Sequence, residues 1–181
     1  MNILDVIRQG GVVLYPSDTL WGLGGDATNP AVARRIAQIK GRPPEKGFVI
    51  LVSGLEMLSR YVNNIPAIAA DFLEKQTRPT TIVYPAGRNL PPEVMAPDGS
   101  VAIRVVRKGF ARDLIKAVGL PLISTSANFS GEPAPLTFNE IDKRFLDLVD
   151  YVVNLHRQKI TDRPSRIVRV YTDDTFEILR P

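Results

Sequence analysis

Helix-like and strand-like runs of apolar residues alternate from one end of this chain to the other. Asn2 to Gln9 reads as a short helix stopped by Gly10-Gly11, and Val12 to Tyr15 as a buried strand. Asn29-Pro30 is a cap residue followed by proline in the first turn. Val32, Ile36 and Ile39 then share one helical face, and Lys40-Gly41 with Pro43 beyond closes that helix. Phe48 to Val52 predicts a strand, 54–62 and 66–75 two helices, and Thr80 to Tyr84 another strand. Arg88 to Gly99 holds three prolines and reads as loop. Val101 to Val106 is a predicted strand, Phe110 to Val118 a helix and Leu120 to Ile123 a strand. Thr137-Phe138-Asn139-Glu140 has the form of a capping box opening a helix through Leu148. Strands near 151–154, 166–171 and 175–179 finish the chain, the last two joined as a hairpin by Thr172-Asp173-Asp174. This alternation predicts an α/β fold, a twisted mixed sheet of parallel and antiparallel strands with flanking helices. A length of 181 residues suits one domain spanning 1–181, given roughly 100–200 residues per domain.

Composition removes several kinds of chemistry. The chain has no cysteine, which excludes disulfides, thiolate nucleophiles and Cys-ligated zinc. His156 is its single histidine, so the imidazole clusters of most transition-metal sites are excluded too. Asp5 and Arg8 interrupt the first apolar stretch, leaving no signal-peptide core. The longest apolar run, Phe48 to Val52, is far below the ~18 residues that span a bilayer. These features predict a cytoplasmic protein with no membrane partner. Lys and Arg number 23 against 19 Asp and Glu, a net charge of +4 that leans toward anionic partners without separating nucleotide from nucleic acid.

Gly22-Leu23-Gly24-Gly25-Asp26-Ala27 fits a dinucleotide-binding pattern, with Glu45 about 20 residues on. Its context is wrong, because Pro16 to Trp21 stand before the glycines and the helix starts only at Asn29-Pro30. No Walker A sequence and no G-x-S-x-G occur. Lys40-Gly41-Arg42-Pro43 admits two readings. One is a plain helix stop; the other is a pair of cations on a stiffened turn, Arg supplying a fork and Lys a point charge for polyphosphate. Ser124-Thr125-Ser126-Ala127-Asn128 follows a predicted strand, where open α/β sheets hold ligands, although a polar turn would read alike. Arg104 sits in mid-strand among apolar neighbours and calls for a paired anion, unless the strand is an edge that the charge guards. Arg180 ends the last strand, and Trp21 is read as core.

Taken together, five segments in order resemble the YrdC-like family, the threonylcarbamoyl-adenylate synthases of tRNA modification. They are Tyr15 to Gly24; Lys40 to Pro43 with Lys46-Gly47; Ser100 to Val105; Ser124 to Gly131; and Pro164-Ser165. The resemblance runs nearly end to end and matches the short form without an added C-terminal domain. It implies a twisted α/β sheet around a basic concave surface, and the formation of threonylcarbamoyl-AMP and pyrophosphate from L-threonine, bicarbonate and ATP with Mg²⁺. The product is then passed to threonylcarbamoyl-transfer machinery that modifies adenosine 37 of tRNA.

By the same resemblance, Lys40, Arg42, Ser126 and Asn128 serve the ATP and the reaction centre. Ser100, Ser124 and Arg180 match nucleotide contacts, while Thr19, Arg104 and Ser165 match threonine contacts, and no residue is assigned to a metal. The chain departs from the family at Arg78-Pro79-Thr80-Thr81, where Pro-Gly-Pro usually precedes the Thr. It departs again at Arg166-Ile167-Val168-Arg169, where Ser-Thr, two apolar residues and Asp are usual. Two further readings stand beside the synthase. One is a non-catalytic module that binds tRNA or double-stranded RNA on the basic surface, mainly through phosphates. The other is carbamoyl transfer, as in the related domain of hydrogenase-maturation proteins.

Overall fold

The computed structural model describes residues 2–43, 47–155, 157 and 163–181. Glu45, Lys46 and His156 lie outside the described residues. Helix α1 (Ile3–Arg8) opens on Asn2, whose side chain accepts from the Asp5 N–H, and gives way to a left-handed Gly10. Strand β1 (Val13–Pro16) turns through 17–20 into an antiparallel partner, β2 (Trp21–Gly24). The sequence reading held no strand at β2, where two glycines fall within four residues. Packing demands Gly24, where a Cβ would lie 1.8 Å from the Ile123 carbonyl oxygen; at Gly22 a Cβ would crowd Ser124 Oγ at 3.3 Å. These glycines let neighbouring strands approach.

Helix α2 (Pro30–Lys40) starts on the Asn29 cap and ends on Gly41, which takes the left-handed conformation at φ 59°. Strand β3 (Val49–Val52) leads to α3 (Leu55–Leu58), a single turn rather than the longer helix predicted over 54–62, and then to α4 (Ala67–Lys75) and β4 (Thr80–Tyr84). The proline-rich segment before β5 (Val101–Val105) holds one 3-10 turn, Pro92–Val94. Helix α5 (Phe110–Val118) is followed by β6 (Leu122–Ser126), which runs on through hydroxyls that the sequence places just past a strand ending at Ile123.

The predicted helix from Thr137 is broken into a 3-10 turn, Phe138–Glu140, and α6 (Lys143–Leu148), which Asp142 caps by accepting from the Arg144 N–H at 2.9 Å. Glu140 spends its carboxylate on the Leu136 N–H (2.9 Å) and the Thr137 hydroxyl (3.1 Å), so the reciprocal capping box never forms. Strands β7 (Tyr151–Val152), β8 (Arg166–Val170) and β9 (Phe176–Arg180) complete the described chain, with β8 and β9 forming the expected antiparallel hairpin.

These strands form one mixed sheet in the order β7-β1-β2-β6-β3-β5-β4-β8-β9. The β1–β7, β3–β5 and β4–β8 pairs are parallel and the other five antiparallel. Side-chain alternation along β5 sorts the two faces of the sheet. Val101 and Ile103 are buried in the core with Ile50, Ile82 and Ile123, while Ala102 and Arg104 line a cleft. Arg104 is thus in the middle of a nine-stranded sheet and not on a guarded edge.

Candidate active site

The cleft encloses about 540 Å³. Seven of the ten residues singled out in the sequence line it: Thr19, Arg42, Arg104, Ser124, Ser126, Ser165 and Arg180. They come from the β1–β2 turn, the segment just past α2, β5, β6, the residue before β8, and β9, so only the folded sheet assembles them. Ser124 pairs with Val49, and Ser126 with Gly22, inside β6. The hydroxyls are therefore displayed from a hydrogen-bonded strand rather than from a turn beyond it.

Arg104 is held from behind. Asp18 Oδ1 lies 3.0 Å from its Nη2, a pair whose side chains are 5% and 16% exposed. The same Nη2 donates to Thr19 Oγ1 at 3.3 Å. Ser17 Oγ donates to the Leu20 carbonyl (2.6 Å) and accepts from the Thr19 N–H (3.1 Å), which ties the turn down. The paired anion expected for Arg104 is thus Asp18, a residue that the sequence reading passed over. Arg104 Nε and Arg42 Nε are both buried without a partner among the described residues.

Arg42 donates to the Gly47 carbonyl and stacks 4.7 Å from the Phe48 ring centroid. Burial holds its pKa below the ordinary arginine value. Elsewhere in the lining, Arg180 donates to Ser165 through Nε to the carbonyl (2.9 Å) and Nη2 to Oγ (3.3 Å), and Ser165 Oγ shares a 2.8 Å hydrogen bond with Thr81 Oγ1. Burial first, then the like charges of Arg104 and Arg78, hold the Arg180 pKa down. Among the described lining residues there are three guanidinium groups and no carboxylate, so the cleft favours an anion.

The three remaining residues lie outside that lining. Lys40 is 4% exposed and sits under the cleft, its Nζ donating to the carbonyls of Ser126 and Asn128, each at 2.6 Å. Burial, helped by the nearby Arg42 charge, lowers its pKa from 10.5 to about 8. The helix-stop and functional readings of Lys40-Gly41-Arg42 thus both apply. Asn128 donates to the Phe129 and Glu132 carbonyls, bracing its own loop, while its Oδ1 is buried without a partner among the described residues. Ser100 is placed elsewhere, its Oγ donating to Asp98 Oδ1 (2.6 Å) in a small cavity shared with Arg169. Trp21, read as core, is 1% exposed and packs on Phe138, yet it also forms part of the cleft wall. Beneath it the Tyr15 hydroxyl donates to the Ile123 carbonyl (3.1 Å), and burial pushes its pKa up to about 12.

The chain is thus an α/β protein whose mixed sheet displays arginines and hydroxyls on one open face. The Sua5/YciO/YrdC family model, described as telomere recombination, matches residues 5–181. The threonylcarbamoyl-AMP synthase of Pseudomonas aeruginosa is 35% identical over 149 residues, 82% of this chain and 80% of its own. That of Stenotrophomonas maltophilia is 34% identical over 156 residues, 84% of each. The structure of P. abyssi Sua5 complexed with L-threonine superposes with a TM-score of 0.86 at 26% identity, over 98% of this chain and 52% of that one. E. coli YciO superposes with a TM-score of 0.83 at 24% identity, over 98% of this chain and 85% of its own. The chain belongs to the Sua5/YciO/YrdC family, and it spans about half the length of that Sua5 chain.

Proposed function

We propose that the protein is a nucleotidyltransferase that makes threonylcarbamoyl-AMP and pyrophosphate from L-threonine, bicarbonate and ATP. The observation that carries this reading is the cleft with Arg42, Arg104 and Arg180 on its walls and no carboxylate among its described lining residues. The names of the bacterial relatives and the threonine complex of the Sua5 relative support it. Arg104, oriented by Asp18, takes the threonine carboxylate, with the Thr19 hydroxyl beside it. The threonine amine captures carbon dioxide from bicarbonate as a carbamate, with loss of water. A carbamate oxygen then attacks the α-phosphorus of ATP; the new P–O bond forms as the bond to the β-phosphate oxygen breaks and pyrophosphate leaves.

Such a transfer needs positioning and charge neutralisation more than a protein nucleophile, so a chain with no cysteine and one histidine is suited to it. Arg42 and Arg180 line the cleft for the phosphates, together with the hydroxyls of Ser124 and Ser126. Lys40 ties the end of β6 and the Asn128 loop to the end of α2, which fixes their spacing. No three His, Cys, Asp or Glu side chains gather as a cation cage among the described residues. Magnesium is proposed to travel with the triphosphate, held by phosphate oxygens and water. The adenylate is a mixed anhydride and would be consumed by a threonylcarbamoyl transferase acting on tRNA. No helix among the described residues is long and apolar enough to cross a membrane, and the reaction is proposed to run in the cytoplasm. Mass spectrometry of a mixture containing ¹³C-bicarbonate tests the scheme: the adenylate should carry the heavy carbon. Product of unshifted mass, or AMP alone, would reject it. An RNA-binding module would instead give RNA affinity that falls steeply with salt and no adenylate.

A further inference from the structure

A second cavity, of about 670 Å³, opens where the parallel strands β3 and β5 end. It shares no lining residue with the cleft. Its walls are apolar, formed chiefly by Leu55, Ile65, Leu73, Val105 and Val106, with the exposed Ala70 on α4. Leu55 is 57% exposed at its margin. Two cations complete the lining, Arg107 just after β5 and Arg112 in the first turn of α5. Arg107 is exposed and Arg112 half-buried, and Arg112 Nε is buried with no partner among the described residues. A buried guanidinium donor left unpaired is costly, and a negatively charged acceptor satisfies it best. Glu74, exposed on α4, also lines the cavity and disfavours a second negative charge beside the first.

We propose that this cavity is a binding site for an aliphatic monocarboxylate, with the carboxylate on Arg112 and Arg107 and the hydrocarbon body against Leu55, Ile65, Leu73 and Val105. Size and character agree with a small-molecule site, a concave apolar wall with a few convergent polar groups. The proposal makes no use of the threonine and ATP assignment, so each stands or falls alone.

Octanoate and 1-octanol, which share a hydrocarbon body and differ in charge, are the probes, titrated into the full chain by calorimetry with ¹⁵N-resolved chemical shifts as a second readout. Octanoate is expected to bind roughly tenfold or more tightly than 1-octanol, the usual advantage of a charge-assisted hydrogen bond. The shifts should concentrate at 53–55, 70–74 and 105–112. Arg112→Gln should erase the preference for octanoate over octanol, and Ala70→Trp should weaken both probes by narrowing the cavity. Equal affinity for the two probes would overturn the proposal, as would shifts centred on Arg42, Ser126 and Arg180. Absence of octanoate binding with tight binding of an apolar peptide would reassign the groove to a protein partner and overturn it as well.

Discussion

Lys40 is the residue whose environment yields the most quantitative expectation. Its ammonium is 4% exposed, and burial first, then Arg42, lowers its pKa from 10.5 to about 8. Below about pH 8 the folded and unfolded chains both hold the proton, and folding bears the full cost of burying the charge. Between about 8 and 10.5 the unfolded chain still holds it while the folded chain has released it, so stability rises with pH across that window. At 1.36 kcal/mol for each tenfold change, the rise is roughly 3 kcal/mol. Lys40→Met removes this titration and leaves the Ser126 and Asn128 carbonyls without their donor at every pH. Urea denaturation of both proteins from pH 7 to 10.5 isolates the effect, because every other titrating group is common to the two. Wild type should gain about 3 kcal/mol on the variant over that range. Parallel curves, or a gap that moves the other way, would refute the reasoning. The variant should also lose activity by on the order of a thousandfold, since the end of β6 loses its tie and its charge.

Asp18→Asn should cost about 3 kcal/mol in urea denaturation, because it leaves the Arg104 cation buried and uncompensated; a loss below ~1 kcal/mol would mean that water screens the pair as at a surface. Gly24→Ala should reduce yield and stability more than any other single methyl addition to the sheet, since the Ile123 carbonyl must move out of the way; an unchanged melting temperature would contradict the close approach of β2 and β6. Arg180→Lys keeps the charge but cannot bond both the carbonyl and the hydroxyl of Ser165. It should raise KM for ATP by roughly tenfold while leaving KM for L-threonine within about twofold, as steady-state kinetics with each substrate varied would read.

The cap at Asn29, the stop at Gly41 and the terminal hairpin were legible because each rests on local chemistry that repeats from protein to protein. β2 was illegible for the opposite reason. Its Gly24 is fixed by the Ile123 carbonyl on another strand, and that closeness exists only after folding. The hydroxyls of β6 were legible as ligand-facing, but the end of the strand was set too early, because Ser and Thr that often bond their own backbone here belong to a central strand lining the cleft. Mid-strand placement announced that Arg104 needed an anion; its identity waited on the β1–β2 turn that brings Asp18 back against β5. Lys40 was visible as a helix terminator and as a candidate cation, and only the fold showed one side chain in both roles.

Pyrophosphate release from ATP and Mg²⁺, with L-threonine and bicarbonate each present or omitted, tests the central claim most directly. Release that requires both substrates and disappears in Lys40→Met is the expected result. Release indifferent to either one, or none from a folded protein that binds ATP in the presence of both, would contradict the assignment of this cleft to threonylcarbamoyl-AMP synthesis.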